Sequence, residues 1–231
     1  MANSPIQSVT DGQIATFLVS LYDGTVSEFD FVEPGQGDSG ICWAHKRVDE
    51  VDYIFLRGSA TLRDWFRDLL ALASPWTHDT LGPVHPGFLL GMDRCWAEIK
   101  ERTKGPWIVC GHSLGAARAA ILTGLMIESG VAPLCRVVFG EPKPGFSKLA
   151  QYISSVPSRS YRNGNAGREH DLVTSIPFSF HPEEYVHAET LIDVISEPDL
   201  ETTLLYGPLR FHKMELYVKA LVDLEANANT K

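Results

Sequence analysis

The sequence predicts an α/β fold in which a mainly parallel sheet is wrapped by helices on both faces, and two observations lead there. Strand-like apolar runs at 51–56, 107–110 and 135–140 alternate with segments whose apolar residues recur at helical spacing. Between them, Trp107-Ile108-Val109-Cys110 runs into Gly111-His112-Ser113-Leu114-Gly115, and the small, helix-favouring residues Ala116, Ala117, Ala119 and Ala120 follow at once. That order reads as strand, tight turn and helix, with a serine at the turn. At 231 residues and 44% hydrophobic content the chain can bury one sizeable core and is short for two, so a single domain over 1–231 is expected.

From the N-terminus, Ile14, Phe17, Leu18 and Leu21 lie at helical spacing over 11–21, with Thr10 or Asp11 available as a cap, and Tyr22-Asp23-Gly24 ends that helix. A loop at 35–40 leads to two strand-like runs, 41–44 and 51–56, separated by the charged 46–50 and suited to pairing as neighbours. Leu62, Trp65, Phe66, Leu69 and Leu70 then fall on one helix face. This is either a core-facing helix or a mobile cover over an apolar acyl site, and the spacing alone favours the first.

A loop carrying His78 and His85 spans 74–86, and a helix over 88–102 turns Leu89, Met92, Trp96 and Ile99 inward. Gly105-Pro106 resets the chain into the central strand, and the helix after Ser113 runs to about 128, near Gly130. A strand at 135–140, a turn at 140–145, a helix over 146–153 and a strand at 159–162 follow. The remainder reads as a loop at 163–167, strands at 185–187 and 191–195, a long loop, and a final helix over 211–224.

The formal net charge of -9 leaves no basic face to displace counterions from phosphate, so nucleic acid is excluded as an expected partner and an anionic membrane surface is disfavoured. Cys42, Cys95, Cys110 and Cys135 show no Cys-x-x-Cys spacing and read as reduced and mostly buried. The first seven residues have neither a basic region nor an apolar run, and nothing later reaches the length of a membrane span. A cytoplasmic location is expected, with release by another route or a trimmed sequence left open.

Gly-x-Ser-x-Gly between a strand and a helix has a chemical meaning. The turn forces the serine into a strained backbone conformation with its hydroxyl clear of the sheet, and the flanking glycines remove Cβ atoms that would collide. Leu114 then offers a backbone N–H at a helix N-terminus, where it can stabilise negative charge on a carbonyl oxygen. The same pattern also fits a glycine-rich turn with a solvated serine, so a base and an orienting acid must be sought elsewhere.

For a serine at such an elbow, the partners follow in the order acid, then histidine, each on a loop after a strand. Of the histidines after Ser113, His187 sits inside an expected strand and His181 at a turn, whereas His212 comes last, where a loop meets the final helix. His212 is the favoured base. Asp193 lies within a strand and Asp199 in a long loop. Asp171 follows a strand and a turn and is the favoured acid, able to accept the Nδ1–H of His212 and leave Nε2 free to deprotonate Ser113.

With these residues in place, the chain resembles the class 3 lipases, the fungal-type family of α/β-hydrolases, from about Ile41 to the final helix. Phe55-Leu56-Arg57-Gly58-Ser59 with Asp64-Trp65 and Asp68-Leu69 resembles the family's oxyanion-loop block, and Val84-His85-Pro86-Gly87-Phe88 its Val-His-x-Gly-Phe. Gly111 to Ala116 resembles its elbow. Phe139 to Gly145, Asp171-Leu172-Val173 with Ile176-Pro177, and Tyr185-Val186-His187-Ala188 match three further blocks. The resemblance implies Ser113, Asp171 and His212 as catalytic triad, and Ser59 and Leu114 as donors of the oxyanion hole. It implies a helical lid around 61–70, with Leu62, Trp65 and Phe66 at the acyl site. The chain departs from the secreted fungal members in showing no signal peptide and no paired cysteines. It departs again at Glu141-Pro142-Lys143-Pro144, where arginine-valine is usual.

The function expected from these readings is hydrolysis of carboxylic esters such as acylglycerols through an acyl-enzyme on Ser113. The partner is a lipid or other ester, with a lipid–water interface as one setting. No cofactor and no metal are expected, since the histidines are scattered and form no His-x-x-x-His pair. The alternatives are a thioesterase or acyltransferase with the same triad, and a non-catalytic binding module on the same fold.

Overall fold

The central strands are apolar on both sides, and the two sides separate into two cores. Tyr53 and Phe55 pack with Ile108, Cys110, Val137 and Phe139 on one face, while Ile54 and Leu56 pack with Val109 and Val138 on the other. That is the pattern of a sheet covered twice. In the computed structural model, which describes residues 8–59, 74–164, 169–177 and 185–228, the first face is covered by α1 (Asp11–Tyr22) and by the C-terminal helix. The second is covered chiefly by the helix that follows Ser113.

The sheet takes shape from β1 (Phe31–Pro34), β2 (Cys42–Val48) and β3 (Val51–Leu56), which are antiparallel neighbours. Asp49 and Glu50 turn the chain between β2 and β3 with φ of 46° and 63°. The charged stretch expected to separate the two runs is therefore largely the end of β2 itself, pairing down to Val48 with Val51. A separate two-stranded ladder, β4 (Trp76–His78) with β5 (Gly82–Val84), forms within the stretch read as loop.

Next come α2 (Pro86–Leu89) and α3 (Met92–Arg102), which divide the helix expected over 88–102 because Gly91 stands between them at φ 82°. The chain continues through β6 (Trp107–His112), α4 (Leu114–Glu128), β7 (Cys135–Phe139), α5 (Ser147–Ile153), β8 (Ser158–Asn163) and β9 (Leu191–Val194). The seven-stranded order is β1-β2-β3-β6-β7-β8-β9, with β3, β6, β7, β8 and β9 all parallel. This is the α/β-hydrolase arrangement the sequence predicts.

The last part of the chain differs from expectation in three places. Tyr185 to His187 is no strand: Val186 makes only an isolated bridge to Gly145. The long loop contains α6 (Leu200–Tyr206), capped by the Asp199 side chain on the Thr202 N–H at 2.7 Å. A 3-10 turn over Gly207–His212 then delays the final helix, so α7 spans Met214–Ala228. All four cysteines are free and buried.

Candidate active site

The parallel strands end on one edge of the sheet, and the residues singled out in the sequence lie on the loops just beyond those ends. Ser113 follows β6 directly and has φ 60° and ψ -128°, the left-handed region a non-glycine residue occupies only where its surroundings enforce it. Its N–H donates to the Phe139 carbonyl at 3.0 Å, which ties the elbow to β7. The glycines around it are required by close approach. A Cβ on Gly115 would stand 2.0 Å from the Leu56 carbonyl oxygen, and one on Gly111 would stand 2.4 Å from that of Gly115.

Asp171 lies beyond β8 and is fully buried. Its Oδ1 accepts the Val173 N–H at 2.9 Å, capping a 3-10 turn over Leu172–Ser175. Its Oδ2 receives two donors, His212 Nδ1 at 2.6 Å and the Tyr217 hydroxyl, from the first turns of α7, at 2.5 Å. Burial alone would raise this carboxyl. The His212 ring and the Tyr217 hydroxyl outweigh it and hold Asp171 below the ordinary carboxylate range.

His212 ends the 3-10 turn beyond β9 and is buried. With Nδ1 facing a carboxylate, Nδ1 carries the proton and Nε2 is left as an acceptor. Among the described residues, His212 Nε2 and Ser113 Oγ have no hydrogen-bond partner. Both line the same cavity of about 190 Å³, together with Ser59, Tyr22 and Tyr206. Leu114 opens α4 immediately after Ser113, and its N–H is one of the first-turn groups without an intrahelical acceptor. Ser113, Asp171, His212, Ser59 and Leu114 are thus brought to one place; Leu62, Trp65 and Phe66 lie outside the described residues.

The rival acids and bases are engaged elsewhere. Asp193 pairs with Arg162 at 2.7 Å and Asp199 caps α6. His187 is not held in a strand as its sequence context suggests; its Nε2 bonds the Thr174 carbonyl at 2.8 Å and its Nδ1 lies 3.6 Å from Glu141. His181 lies outside the described residues. Glu141, in the loop that departs from the lipase pattern, is fully buried against Arg136, whose guanidinium also reaches Glu189 at 2.5 Å. The Arg136 charge, against the opposing effect of burial, holds Glu141 below the ordinary range.

Three residues at the site were not singled out in the sequence. Tyr217 falls unremarked within the expected final helix, Tyr22 is read as a helix end, and His112 stands at a variable position of Gly-x-Ser-x-Gly. His112 is buried and its ring stacks on that of His212, with centroids 4.6 Å apart and planes at 28°. Burial, reinforced by the neighbouring His212, pushes its pKa down to about 3. Among the described residues no group of three or more His, Cys, Asp or Glu could hold a metal ion, and no helix is long and apolar enough to cross a membrane.

Comparison with known proteins extends the geometry. The family described as Lipase (class 3) matches residues 53–181, more than half of the chain. A lipase of Rhizomucor miehei is 27% identical over 186 residues, 72% of this chain and 50% of that protein, so the chain spans about half the length of the curated relative it matches. Among solved structures, the Rhizomucor miehei lipase in its propeptide complex aligns with a TM-score of 0.62 at 22% identity, covering 79% of this chain and 65% of the other. A triacylglycerol lipase whose catalytic centre is described as a serine protease triad aligns with a TM-score of 0.53 at 23% identity, covering 74% and 77%.

Proposed function

The chain belongs to the class 3 lipase family, and from that premise we propose that it is a serine hydrolase of carboxylic esters, acylglycerols among them, acting through an acyl-enzyme on Ser113. The observation that carries the proposal is the cavity in which Ser113 Oγ and His212 Nε2 both stand unpartnered among the described residues, while His212 Nδ1 is bonded to buried Asp171. A nucleophile and a base in the right tautomer then share one opening, with an orienting acid buried behind the base.

In this reading His212 Nε2 accepts the Ser113 proton as the hydroxyl attacks the ester carbonyl. The developing oxyanion is met by the backbone N–H groups of Leu114 and Ser59, the first aided by the dipole of α4. Asp171 stabilises the imidazolium without taking its proton, and His212 returns that proton to the leaving alcohol. Water then attacks the acyl-enzyme by the same route and restores Ser113. The lipase kinship of the relatives supports an acyl ester as substrate.

The test is the rate of hydrolysis along a series of p-nitrophenyl esters from acetate to palmitate, for the native protein beside Ser113→Ala. Hydrolysis reduced more than about a thousandfold by the substitution is expected. A peak at long chains would mark a lipase and a peak at short chains an esterase. Absence of turnover by the native protein on every ester would refute the proposal.

A further inference from the structure

Three hydrogen bonds in series join the loop that carries Ser59 to the backbone of the candidate base. The Gly58 N–H donates to the Tyr22 hydroxyl oxygen at 3.0 Å. Tyr22 is 2.9 Å from His112 Nδ1, and His112 Nε2 is 3.0 Å from the His212 carbonyl oxygen. A carbonyl only accepts, so His112 Nε2 carries the ring proton; the ring is neutral, so Nδ1 accepts, and the Tyr22 hydroxyl is its donor. Every donor and acceptor along the path is thereby matched.

The approach is close at both ends. A Cβ on Gly58 would stand 2.3 Å from the Tyr22 hydroxyl and 2.9 Å from Ser113 Cβ, so the loop reaches the elbow only as glycine. The His112 ring lies flat on the His212 ring and edge-on to Tyr22, at centroid distances of 4.6 Å and 5.6 Å. β3 and β6 are already aligned by their own ladder from Asp52 to Leu56. The additional path runs past the ladder, to the residue before Ser59 on one side and to His212 itself on the other.

We propose that Tyr22 and His112 are positioning residues, which hold the oxyanion-side loop and the base in one register so that charge building on the substrate oxygen and proton transfer at His212 occur in a fixed relative geometry. The inference rests on the hydrolase reading and goes beyond it: Tyr22 lies outside the span that matches the family, and neither side chain is asked to touch the reacting atoms. Neither changes charge near neutral pH, because burial raises the Tyr22 hydroxyl and lowers the His112 ring to about 3. The register therefore stays the same across the working range of a histidine base.

The test is Tyr22→Phe, His112→Leu and the double variant, with rates expressed per Ser113 labelled by a fluorophosphonate, so that unfolded protein does not count. Tyr22→Phe is expected to lower kcat about tenfold with KM changed less than about twofold, since the effect falls on the transition state. The double variant is expected to fall no further than the worse single one. A kcat per labelled serine that is unchanged in Tyr22→Phe, with only the labelled fraction reduced, would show a merely structural role and overturn the proposal. Multiplying effects in the double variant would overturn the link. Should His112→Leu not fold, Tyr22→Phe decides alone.

A second readout does not depend on turnover. Ring ¹⁵N shifts of native His112 are expected to show a protonated Nε2 and a bare Nδ1, and exchange of the Gly58 amide is expected to speed up in Tyr22→Phe. A protonated Nδ1, or unchanged exchange, would remove the link even in an active enzyme. Failure of the native protein on every ester would instead remove the hydrolase reading.

Discussion

Acidifying the protein from about pH 7.5 to about pH 5 should unmask His112. The folded ring titrates at about 3 against an ordinary 6.5, because it is buried beside His212. Its folded value lies below its unfolded value, so the unfolded chain binds a proton that the folded protein refuses. Stability is undiminished above the unfolded value, declines as pH falls below 6.5, and stops declining through this group only near the folded value. At pH 5 the difference amounts to about 2 kcal/mol, and the figure hardly depends on how far below 5 the folded value lies. Urea denaturation of the native protein and of His112→Gln at both pH values isolates this contribution. Glu189, whose carboxyl burial raises, works in the opposite direction, and Asp171 and Glu141, held low, work in the same one; groups common to both proteins cancel in the comparison. The native protein should lose about 2 kcal/mol more than the variant over the same interval. Equal losses, or a native His112 ring that titrates above pH 5 by NMR, would show that the folded ring is not kept neutral by its burial.

Tyr217→Phe should leave Asp171 Oδ2 with His212 as its one side-chain donor among the described residues, destabilising the fold by about 1 to 3 kcal/mol and lowering kcat several-fold, read by urea denaturation and ester turnover. Gly140→Ala places a Cβ 2.7 Å from Asp171 Oδ2 and 2.8 Å from the His212 ring at a backbone φ of 55°. Activity should fall by about a hundredfold or more, because a small misplacement of the base is amplified in the rate; native-like turnover would show that the dyad can shift without consequence. Arg136→Leu leaves the Glu141 charge buried without its guanidinium and should cost about 3 to 5 kcal/mol at neutral pH, less in acid as Glu141 takes a proton, measured by denaturation against pH.

What the sequence shows of this site is what local chemistry forces. The elbow is legible because a serine at φ 60° between a strand and a helix needs small neighbours, and Gly111, Gly115 and Ala116 are written beside it. Asp171 and His212 follow from chain order, because loops after successive parallel strands return to one edge. Other features leave no local trace. Tyr217 sits among the apolar residues of α7, and nothing in its spacing separates an aromatic packed in a core from one whose hydroxyl reaches a carboxylate.

The secondary-structure differences have a similar origin. β1 is four residues long and contains a proline, β4 is largely exposed, and α6 shows apolar Leu200, Leu204 and Leu205 to solvent. Elements so short carry too few residues for a period to emerge. His187 sits in an apolar, β-branched context that reads as strand, but Arg136, Glu141 and Glu189 gather a buried charge cluster there and draw it into a network of side-chain and carbonyl contacts instead.

The matched span of 53–181 contains Ser113 and Asp171 but neither His212, the proposed base, nor either tyrosine. Those come from the two ends of the chain, Tyr22 from α1, His212 from the turn leading into α7, and Tyr217 from α7 itself. The two helices are joined directly: the Glu225 carboxylate accepts the Gly12 N–H at 2.9 Å and the Thr10 hydroxyl at 3.0 Å, capping the start of α1 from the far end of α7. Tyr22 and Tyr217 therefore project from a clasped pair on one face of the sheet. One reaches the loop of Ser59 and the other the carboxylate behind His212, so the geometry on both sides of Ser113 depends on helices that the family match does not include.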